Sequence, residues 1–287
     1  MQKQLNSAII IFNNIEYIKG SVTMAAVVIS VALQKGGVGK TVTSLNLASE
    51  LGLRKKKVLL VDLDAQANST YSSGYSTNEL EYSLYNVLTK DTKYHCGIEQ
   101  AILKCKYYDL IPADNAVNDL TLELKDFDAL KSVLEPIKAN YDFIILDCPP
   151  AISMVTANAF VASQKIIIPS ECKAYSFLGM LDLKKSIDEV KATMNPDLEV
   201  LGILLVKYDK RTTLTKQMQE MIADFSEQLN TTLYNATIRN GIAVEEAALN
   251  QIPLCDYVKK NNNKPYIDYR GFVTETLKRL ERDNNGN

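Results

Sequence analysis

The chain has 287 residues, 46% hydrophobic and 23% charged, proportions typical of a globular protein with room for a sizeable core. Its formal net charge is −2, so no global positive field draws it to nucleic acid or anionic lipid, and any polyanion binding must come from a local patch. Five cysteines without a C-x-x-C pair and a single histidine, His95, argue against a disulfide framework, a zinc site, a bound iron–sulfur cluster or a His-based triad. We therefore expect a reducing cytosol, with His95 at the surface.

The first 23 residues form a lead-in to the main domain. Their apolar stretch "SAIIIF" is too short for a secretory signal, and no apolar run of the chain approaches the roughly 20 residues that span a bilayer. From Met24 the chain begins with a strand, a loop and a helix pattern. We expect residues 1–23 to be an extension, either dispensable or an upstream translated segment, and residues 24–287 to be the functional domain.

Apolar runs of strand length alternate with helical patterns along this domain. Strands are predicted over residues 25–33, 57–63, 107–111, 142–147, 165–170 and 199–206. Helices are predicted over residues 39–51, 78–88, 128–141, 152–163, 174–194 and 214–229. Strands that are apolar at every position are buried on both faces, which is typical of a parallel sheet covered by helices. The sequence therefore predicts one α/β domain, doubly wound, with a mostly parallel sheet and helices on both faces.

The segment "LQKGGVGKT" (33–41) lies where the first strand gives way to the first helix. Glycines at 36, 37 and 39 allow several backbone N–H groups to turn inward, and the helix start directs its positive dipole end to the same place. Lys40 is placed to reach the β- and γ-phosphates of a nucleotide, and the Thr41 hydroxyl to hold Mg²⁺. Gln34 departs from the common pattern G-x-x-x-x-G-K-[ST], and the alternative is a glycine-rich turn that binds nothing.

Three aspartates follow apolar strands. Alternation along the strand in "VDLDAQ" places Asp62 and Asp64 on one side, one to act on the metal's water shell and the other on an attacking water. Asp147 ends "FIILD", where a buried carboxylate needs a compensating charge that a metal ion supplies. The alternatives are strand-end or N-cap aspartates with a structural role. Cys148 is expected to pack as a small apolar residue.

The motifs "KGGVGKT", "VLLVDLDAQANST" and "FIILDCPPA" resemble, in order and spacing, those of the ParA/MinD family of deviant Walker A ATPases, with the ParA (Soj-like) branch the best match. The resemblance implies a P-loop NTPase fold with ATP and Mg²⁺ as cofactors. It implies that Lys35 reaches the phosphates of a partner in an ATP-sandwiched homodimer, that Asp64 positions the attacking water, and that Asp62 supports the Mg²⁺ region. Nucleotide contacts are expected from Lys35, Gly36, Gly37, Val38, Gly39, Lys40, Thr41 and Val42.

Three details depart from the family's pattern. Ala65 stands where the family usually has proline, and Val42 replaces a common threonine, which removes one hydroxyl contact with phosphate. The segment "ATIRNGIAVEEAA" (236–248) resembles the family stretch that closes over adenine, although its usual P-R-N wording is altered. Arg239 and Asn240 are the expected adenine contacts.

The segment "VKYDKRTTLTKQ" (206–217) resembles the ParA stretch that contacts DNA nonspecifically, with Arg211 on the family's DNA-binding arginine. Because residues 201–287 hold 12 basic and 11 acidic residues, we expect weak binding by one chain and useful binding by a dimer. A position that is basic in some relatives is Ala243 here, and a solvated charged face is the alternative. The expected DNA contacts are Lys207, Lys210, Arg211 and Lys216, with Lys259, Lys260, Lys264 and Arg270 widening the surface.

The resemblance implies a cytoplasmic, nucleoid-associated DNA-partition ATPase that dimerises on ATP, binds double-stranded DNA nonspecifically and is stimulated by a ParB-like partner. A ParA relative that positions a protein cargo shares every motif and stays open as an alternative. A MinD-like membrane ATPase would need a C-terminal amphipathic anchor, but Phe272, Val273, Leu277 and Leu280 are more simply a core-facing stripe, so no membrane partner is expected. An iron–sulfur carrier would need paired cysteines, which this chain lacks. A binding module with an inactive nucleotide site is disfavoured because Lys40, Thr41, Asp64 and Asp147 are all present.

Overall fold

The structure, a computed structural model, describes residues 25–123, 125–258 and 262–285. The predicted extension 1–23 lies outside the described residues, as do Lys259 and Lys260. Eight strands form one sheet: β1 (Val27–Val31), β2 (Val58–Asp62), β3 (Leu103–Lys104), β4 (Asp109–Ile111), β5 (Phe143–Asp147), β6 (Lys165–Ser170), β7 (Glu199–Tyr208) and β8 (Leu233–Arg239). Their order is β3-β4-β2-β5-β1-β6-β7-β8, and every described neighbouring pair is parallel except β3 with β4. The predicted doubly wound, mostly parallel sheet is confirmed.

Helices cover both faces of the sheet, because the central strands β1, β2 and β5 are mostly apolar and buried at nearly every position. The α-helices are α1 (Lys40–Leu53), α2 (Asn68–Ser72), α3 (Leu84–Leu88), α4 (Val117–Glu123), α5 (Ala129–Leu134), α6 (Met154–Ala162), α7 (Ala174–Thr193), α8 (Thr213–Gln228), α9 (Ile242–Leu249), α10 (Leu254–Tyr257) and α11 (Lys264–Asn285). Short 3₁₀ turns occupy Thr77–Glu79, Ile98–Ala101 and Glu135–Asn140. Among the described helices, none is both long and apolar enough to cross a membrane.

The hydrophobic core lies in two layers, one on each side of the sheet. Helices α3 to α8 pack on one side, against residues such as Val28 and Ile144. Helices α1, α9, α10 and α11 pack on the other side, against residues such as Ile29 and Ile145. Adjacent residues of one strand therefore serve opposite layers, as the two-residue repeat of a strand requires.

Each predicted strand and helix has an observed counterpart, but two predicted helices differ in extent, and β3, β8 and several short helices were not predicted. Residues 78–88 do not form one helix, because Ser83 caps a separate short helix: its backbone N–H donates to Asn86 Oδ1, and its hydroxyl accepts from the Tyr85 N–H. The helix predicted over 128–141 continues past Leu134 as a 3₁₀ turn, with Pro136 near its start. Strand β8 was not predicted, because it is only partly buried and carries Asn235 and Arg239 among its apolar residues.

Candidate nucleotide-binding site

The loop between β1 and α1 has the backbone conformation that its glycines permit. Gly37 and Gly39 have φ angles of 74° and 77°, in the left-handed region that other residues adopt only with strain. A Cβ atom at Gly36 or Gly37 would have no neighbour within 4 Å, so the space beside the loop is open. Helix α1 begins immediately afterwards at Lys40 and directs its unpaired N–H groups toward this space.

The side chain of Lys40, the first residue of α1, points back into the loop. Its side chain is buried, and Nζ donates a 2.7 Å hydrogen bond to the main-chain carbonyl of Lys35. Burial lowers the pKa of Lys40, and the nearby Asp147 carboxylate opposes this shift. Among the described residues no carboxylate pairs with Lys40 at ion-pair distance, so its ammonium is available to an anionic group in the loop.

Lys35 points away from the cavity of its own chain. Its Nζ donates to Ser176 Oγ at 3.3 Å and lies 5.9 Å from the centre of the Tyr175 ring, both on α7. Lys35 is half-buried and lies beside Tyr175, whose side chain is 76% exposed. The two lysines of the loop thus have opposite directions, Lys40 inward and Lys35 outward.

Asp147 ends β5 beneath the loop and is almost fully buried. Its Oδ1 accepts a hydrogen bond from Ser44 Oγ at 3.0 Å and its Oδ2 accepts one from Ser69 Oγ at 2.8 Å. Burial raises the pKa of Asp147, while the hydroxyls of Ser69, Thr41 and Ser44 and the charge of Lys40 oppose the rise. Thr41 and Asp147 are therefore together, as a Mg²⁺ site at this position requires.

Asp64 lies outside β2, which ends at Asp62, so the strand alternation that was expected to place the two carboxylates on one side does not apply. The carboxylate of Asp62 is fully buried and turns to α2, where Oδ2 accepts hydrogen bonds from the Thr70 N–H and hydroxyl, both at 2.8 Å. Its Oδ1 accepts from the Asp64 N–H at 3.2 Å. Asp62 thus braces the turn that carries Asp64, and Asp64 rather than Asp62 lines the cavity.

A cavity of about 510 Å³ opens beside the loop. It brings together nine residues predicted to bind or act on a nucleotide: Gly36, Gly37, Gly39, Lys40, Thr41, Val42, Asp64, Arg239 and Asn240. Val38 is buried in the core and does not line it. The opposite wall includes Val244, Ala248 and Tyr269, an apolar surface suited to the flat face of a base.

The donor set around this cavity fits a magnesium nucleotide. The glycine loop and Lys40 suit an anionic phosphate chain, and the Thr41 hydroxyl and Asp147 carboxylate are oxygen donors of the kind that Mg²⁺ takes. Among the described residues no three His, Cys, Asp or Glu side chains gather to hold a metal. A magnesium ion here would complete its ligands with water and phosphate oxygens, as Mg²⁺ commonly does.

Of the two predicted adenine contacts, Arg239 is already paired with an acidic side chain. The Arg239 guanidinium binds both carboxylate oxygens of Asp268, at 2.8 and 2.6 Å. This pair joins the end of β8 to α11 and holds Arg239 at the cavity wall. Asn240 follows directly, in the turn before α9.

The predicted DNA-contact cluster is divided. Lys210, Arg211 and Lys216 are exposed beside the start of α8, and the Arg211 guanidinium binds Asp209 with Nε–Oδ1 and Nη2–Oδ2 distances of 2.8 and 2.6 Å. Lys207 instead reaches back to the phosphate loop, where Nζ donates to the Gly37 carbonyl at 2.8 Å. Lys264 and Arg270 lie on α11, and Arg270 lines a separate groove of about 1280 Å³ that contains none of the other predicted site residues.

Sequence reasoning missed four residues of this region: Ser44, Ser69, Glu171 and Tyr269. Ser44 follows Lys40 by one helical turn, so the helical repeat could have placed it near Asp147. Ser69 lies within the motif VLLVDLDAQANST, five residues after Asp64, whereas Glu171 and Tyr269 come from distant segments and leave no local signal. Cys148 is buried, as predicted, and burial raises its pKa to about 12, so its thiol is not poised as a nucleophile. His95 is exposed, as expected.

Comparison with known proteins finds one matching family and several similar proteins. The family described as an AAA domain matches residues 26–200. An uncharacterized protein of Pseudomonas putida is 37% identical over 90% of this chain and 97% of its own length. The chromosome partitioning protein ParA of Caulobacter vibrioides is 33% identical over 77% of this chain and 83% of its own length. The sporulation initiation inhibitor protein Soj of Bacillus subtilis is 33% identical over 84% and 95%.

Solved structures show the same architecture. Cobyrinic acid a,c-diamide synthase from Mycobacterium smegmatis, with bound ADP and magnesium, superposes with a TM-score of 0.72 and 28% identity over 89% of this chain and 96% of that one. The septum site-determining protein MinD of Pyrococcus horikoshii, complexed with Mg-ADP, has a TM-score of 0.70 at 23% identity over 87% and 95%, a likeness of fold alone.

Proposed function

Because the chain belongs to the ParA/MinD family of P-loop ATPases, we propose that it is an ATP-dependent DNA-partition ATPase with ATP and Mg²⁺ as cofactors. The observation that carries the proposal is the opposite direction of the two loop lysines. Lys40 serves the cavity of its own chain, whereas Lys35 is placed beside exposed Tyr175 to meet another molecule.

The phosphoryl transfer chemistry requires mainly positioning and charge stabilisation. Lys40 and the loop N–H groups hold the phosphates, and Thr41 with Asp147 would hold Mg²⁺, which supplies the charge that offsets the phosphates. Asp64 lies at the cavity with its backbone N–H fixed by Asp62, and it orients the attacking water. Asp62 acts through Asp64 and not as a ligand.

The second part of the proposal is a homodimer that encloses ATP. Lys35 carries a charge that phosphates of a facing subunit would attract, so nucleotide and subunit contact stabilise each other. The exposed side chains of Tyr175 and Leu178 on α7 supply apolar surface beside it. Nucleotide state thereby controls assembly.

The third part is nonspecific binding of double-stranded DNA by the dimer in the cytoplasm at the nucleoid, with a ParB-like protein that stimulates hydrolysis and release. Lys210, Arg211 and Lys216 are exposed and provide the contact surface. The Arg211–Asp209 ion pair is 84% and 43% exposed, so a DNA phosphate can displace Asp209 at little cost. The burial of Phe272 and Val273 on α11 supports this reading over a membrane anchor.

The test is binding to a nonspecific duplex at low salt with ATP, ADP or no nucleotide. We expect binding only with ATP, lost or strongly weakened in Arg211→Ala. Asp209→Asn removes the competing carboxylate and should strengthen binding. Lys185→Ala on α7 is the control for a lost surface charge, because Lys185 is 77% exposed and pairs only with Asp182 among the described residues. Absence of DNA binding in a protein that still binds ATP contradicts the partition reading.

A further inference from the structure

Lys207 has an unusual backbone for a lysine. It lies near the end of β7 with φ at 49°, in the left-handed region, and the register of β7 with β8 shifts between Leu205 and Tyr208. A residue other than glycine is uncommon in this region, and a conformation of this kind persists where the surrounding structure holds it. From this position the Lys207 side chain reaches the phosphate loop, whereas Arg211, four residues later, pairs with Asp209.

The Lys207 ammonium has two partners there. Nζ donates to the Gly37 carbonyl at 2.8 Å and lies 3.2 Å from Glu171 Oε1. Glu171 follows β6, and its side chain is only 7% exposed. Burial alone would raise the pKa of Glu171, but Lys173 and Lys207 outweigh it and hold that pKa below its usual range. The buried Glu171 carboxylate thus holds the Lys207 ammonium that is hydrogen-bonded to the phosphate loop.

We propose that Lys207 is a positioning residue for the nucleotide, which fixes the Gly37–Val38 peptide of the phosphate loop from an anchor on Glu171. In a planar trans peptide the carbonyl and the following N–H point in opposite directions, so holding the Gly37 carbonyl sets the direction of the Val38 N–H. Glycine backbones adopt a wider range of φ and ψ than other residues, so Gly36 and Gly37 gain order from such a restraint. A loop ordered before the nucleotide arrives loses less conformational entropy on binding.

The simpler explanation is that Lys207 merely neutralises Glu171. Lys173 already forms an ion pair with Glu171 through its other carboxylate oxygen, Oε2, so the buried charge has a partner without Lys207. Lys173 is 65% exposed and does not contact the loop in the hydrogen bonds described for this region. The second lysine therefore needs a further role, and its contact with Gly37 supplies one. Lys207 also lines the nucleotide cavity.

Two variants separate these explanations. Lys207→Met keeps the length and apolar stem of the side chain but removes its charge, and Lys173→Met removes the other partner of the same carboxylate. The measurement is the dissociation constant of a fluorescent ADP analogue, N-methylanthraniloyl-ADP, with Mg²⁺ and without DNA. We expect Lys207→Met to bind about 10-fold or more weakly, the scale of a lost hydrogen bond to a charged group, and Lys173→Met to bind as the unchanged protein does.

Two further variants guard against a loss caused by misfolding. Lys207→Arg keeps a donor for Gly37 and Glu171 and should recover most of the affinity. Glu171→Gln should weaken binding less than Lys207→Met, because the lysine stays while its anchor is lost. In each variant, the urea concentration at the midpoint of unfolding, measured without nucleotide, should stay close to that of the unchanged protein.

The inference about Lys207 rests on nucleotide binding by the loop and not on the partition role. A result that overturns one of these two proposals therefore leaves the other standing. Unchanged nucleotide affinity in Lys207→Met overturns it, and if DNA binding falls in that same variant, Lys207 belongs with Arg211 as the sequence predicted. Equal losses in Lys207→Met and Lys173→Met also overturn it, since both would then act only through Glu171. Loss of DNA binding in Arg211→Ala alone concerns the partition proposal and leaves Lys207 untouched.

Discussion

Asp62 and Asp147 end adjacent parallel strands in register and are buried side by side beneath the phosphate loop. Burial and the nearby Asp147 charge raise the pKa of Asp62 to about 7, against the hydrogen bonds from Thr70 and Asp64. The two carboxylates differ in their partners. Asp62 is held by the backbone and side chain of Thr70, whereas Asp147 is held by serine hydroxyls and adjoins Thr41 and Lys40. This difference in partners supports the proposal that Asp62 has a structural role and that Asp147 would support a magnesium ion.

Asp147→Asn should separate stability from activity. The variant removes a buried charge that lies near another carboxylate, so we expect the free energy of unfolding at pH 7 without nucleotide to be unchanged or higher. Mg²⁺-dependent ATP hydrolysis should fall by about 100-fold or more, the scale of a lost electrostatic group in a water-excluded site. Urea unfolding and steady-state phosphate release are the measurements. A variant that unfolds readily but hydrolyses ATP normally would contradict this assignment.

Gly52 and Gly271 are two helical glycines with opposite surroundings, so alanine at each position tests the packing. A Cβ atom at Gly52, near the end of α1, would lie 1.9 Å from the Tyr107 carbonyl oxygen, so Gly52→Ala forces α1 away from the strand edge. We expect a loss of about 3 kcal/mol in the free energy of unfolding. A Cβ atom at Gly271, exposed on α11, meets nothing within 4 Å, so Gly271→Ala should stabilise the protein by about 0.5–1 kcal/mol. Equal effects from the two changes would be inconsistent with this packing.

Glu275 on α11 should make stability depend on acid pH. Burial would raise its pKa, but the backbone N–H of Asn235, Arg279 and the backbone N–H of Ala236 outweigh burial and lower the pKa. A folded-state pKa below the unfolded value of about 4.3 gives stability that is present above the unfolded value and lost as pH falls through the folded one. Glu275→Gln should cost about 1 kcal/mol at pH 7, and the difference should shrink below about pH 4. Glu281→Gln, exposed on the same helix, is the control.

The C-terminal helix should behave as a core element. Phe272 is fully buried on α11 and its ring lies 4.9 Å from that of Tyr234, in an edge-on arrangement. We expect Phe272→Ala to lower the free energy of unfolding by about 3–5 kcal/mol, and Ile267→Ala, which truncates a side chain 45% exposed on the same helix, to change it much less. The protein should not sediment with anionic phospholipid vesicles in ATP. Sedimentation that is lost on changing these apolar residues would restore the MinD-like alternative.

Most of the fold could be predicted because the central strands form nearly continuous apolar runs and the helices between them are periodic. Strand β6 was predicted to the residue, and most other strands within two residues of their ends. Strand β8 was missed because it lies at the edge and is only half-buried, so its sequence lacks the continuous apolar run. Residues 78–88 were misjudged because their apolar spacing is helical while the Ser83 cap interrupts the helix.

The site was predictable where chemistry is local and not where it depends on folding. Gly36, Gly37, Gly39, Lys40 and Thr41 followed from residue types and spacing, whereas Val38, which the family resemblance added, does not line the cavity. The direction of Asp62 depends on Thr70, eight residues away, which reaches it only once α2 forms. Lys207 is close to Arg211 in sequence, yet it has a left-handed backbone conformation and its side chain contacts Gly37 in the phosphate loop.

The most direct test of the central claim is the mass in solution of Asp64→Ala, a variant expected to bind ATP without hydrolysing it. With Mg²⁺ and ATP, light scattering should give twice the mass of the 32.0 kDa chain, and with ADP the mass of one chain. Adding Lys35→Ala should leave a monomer in ATP, because the outward lysine is lost while Lys40 still holds the nucleotide. A protein that binds ATP and stays monomeric at every concentration tested, or a dimer that forms equally well without Lys35, would contradict the account.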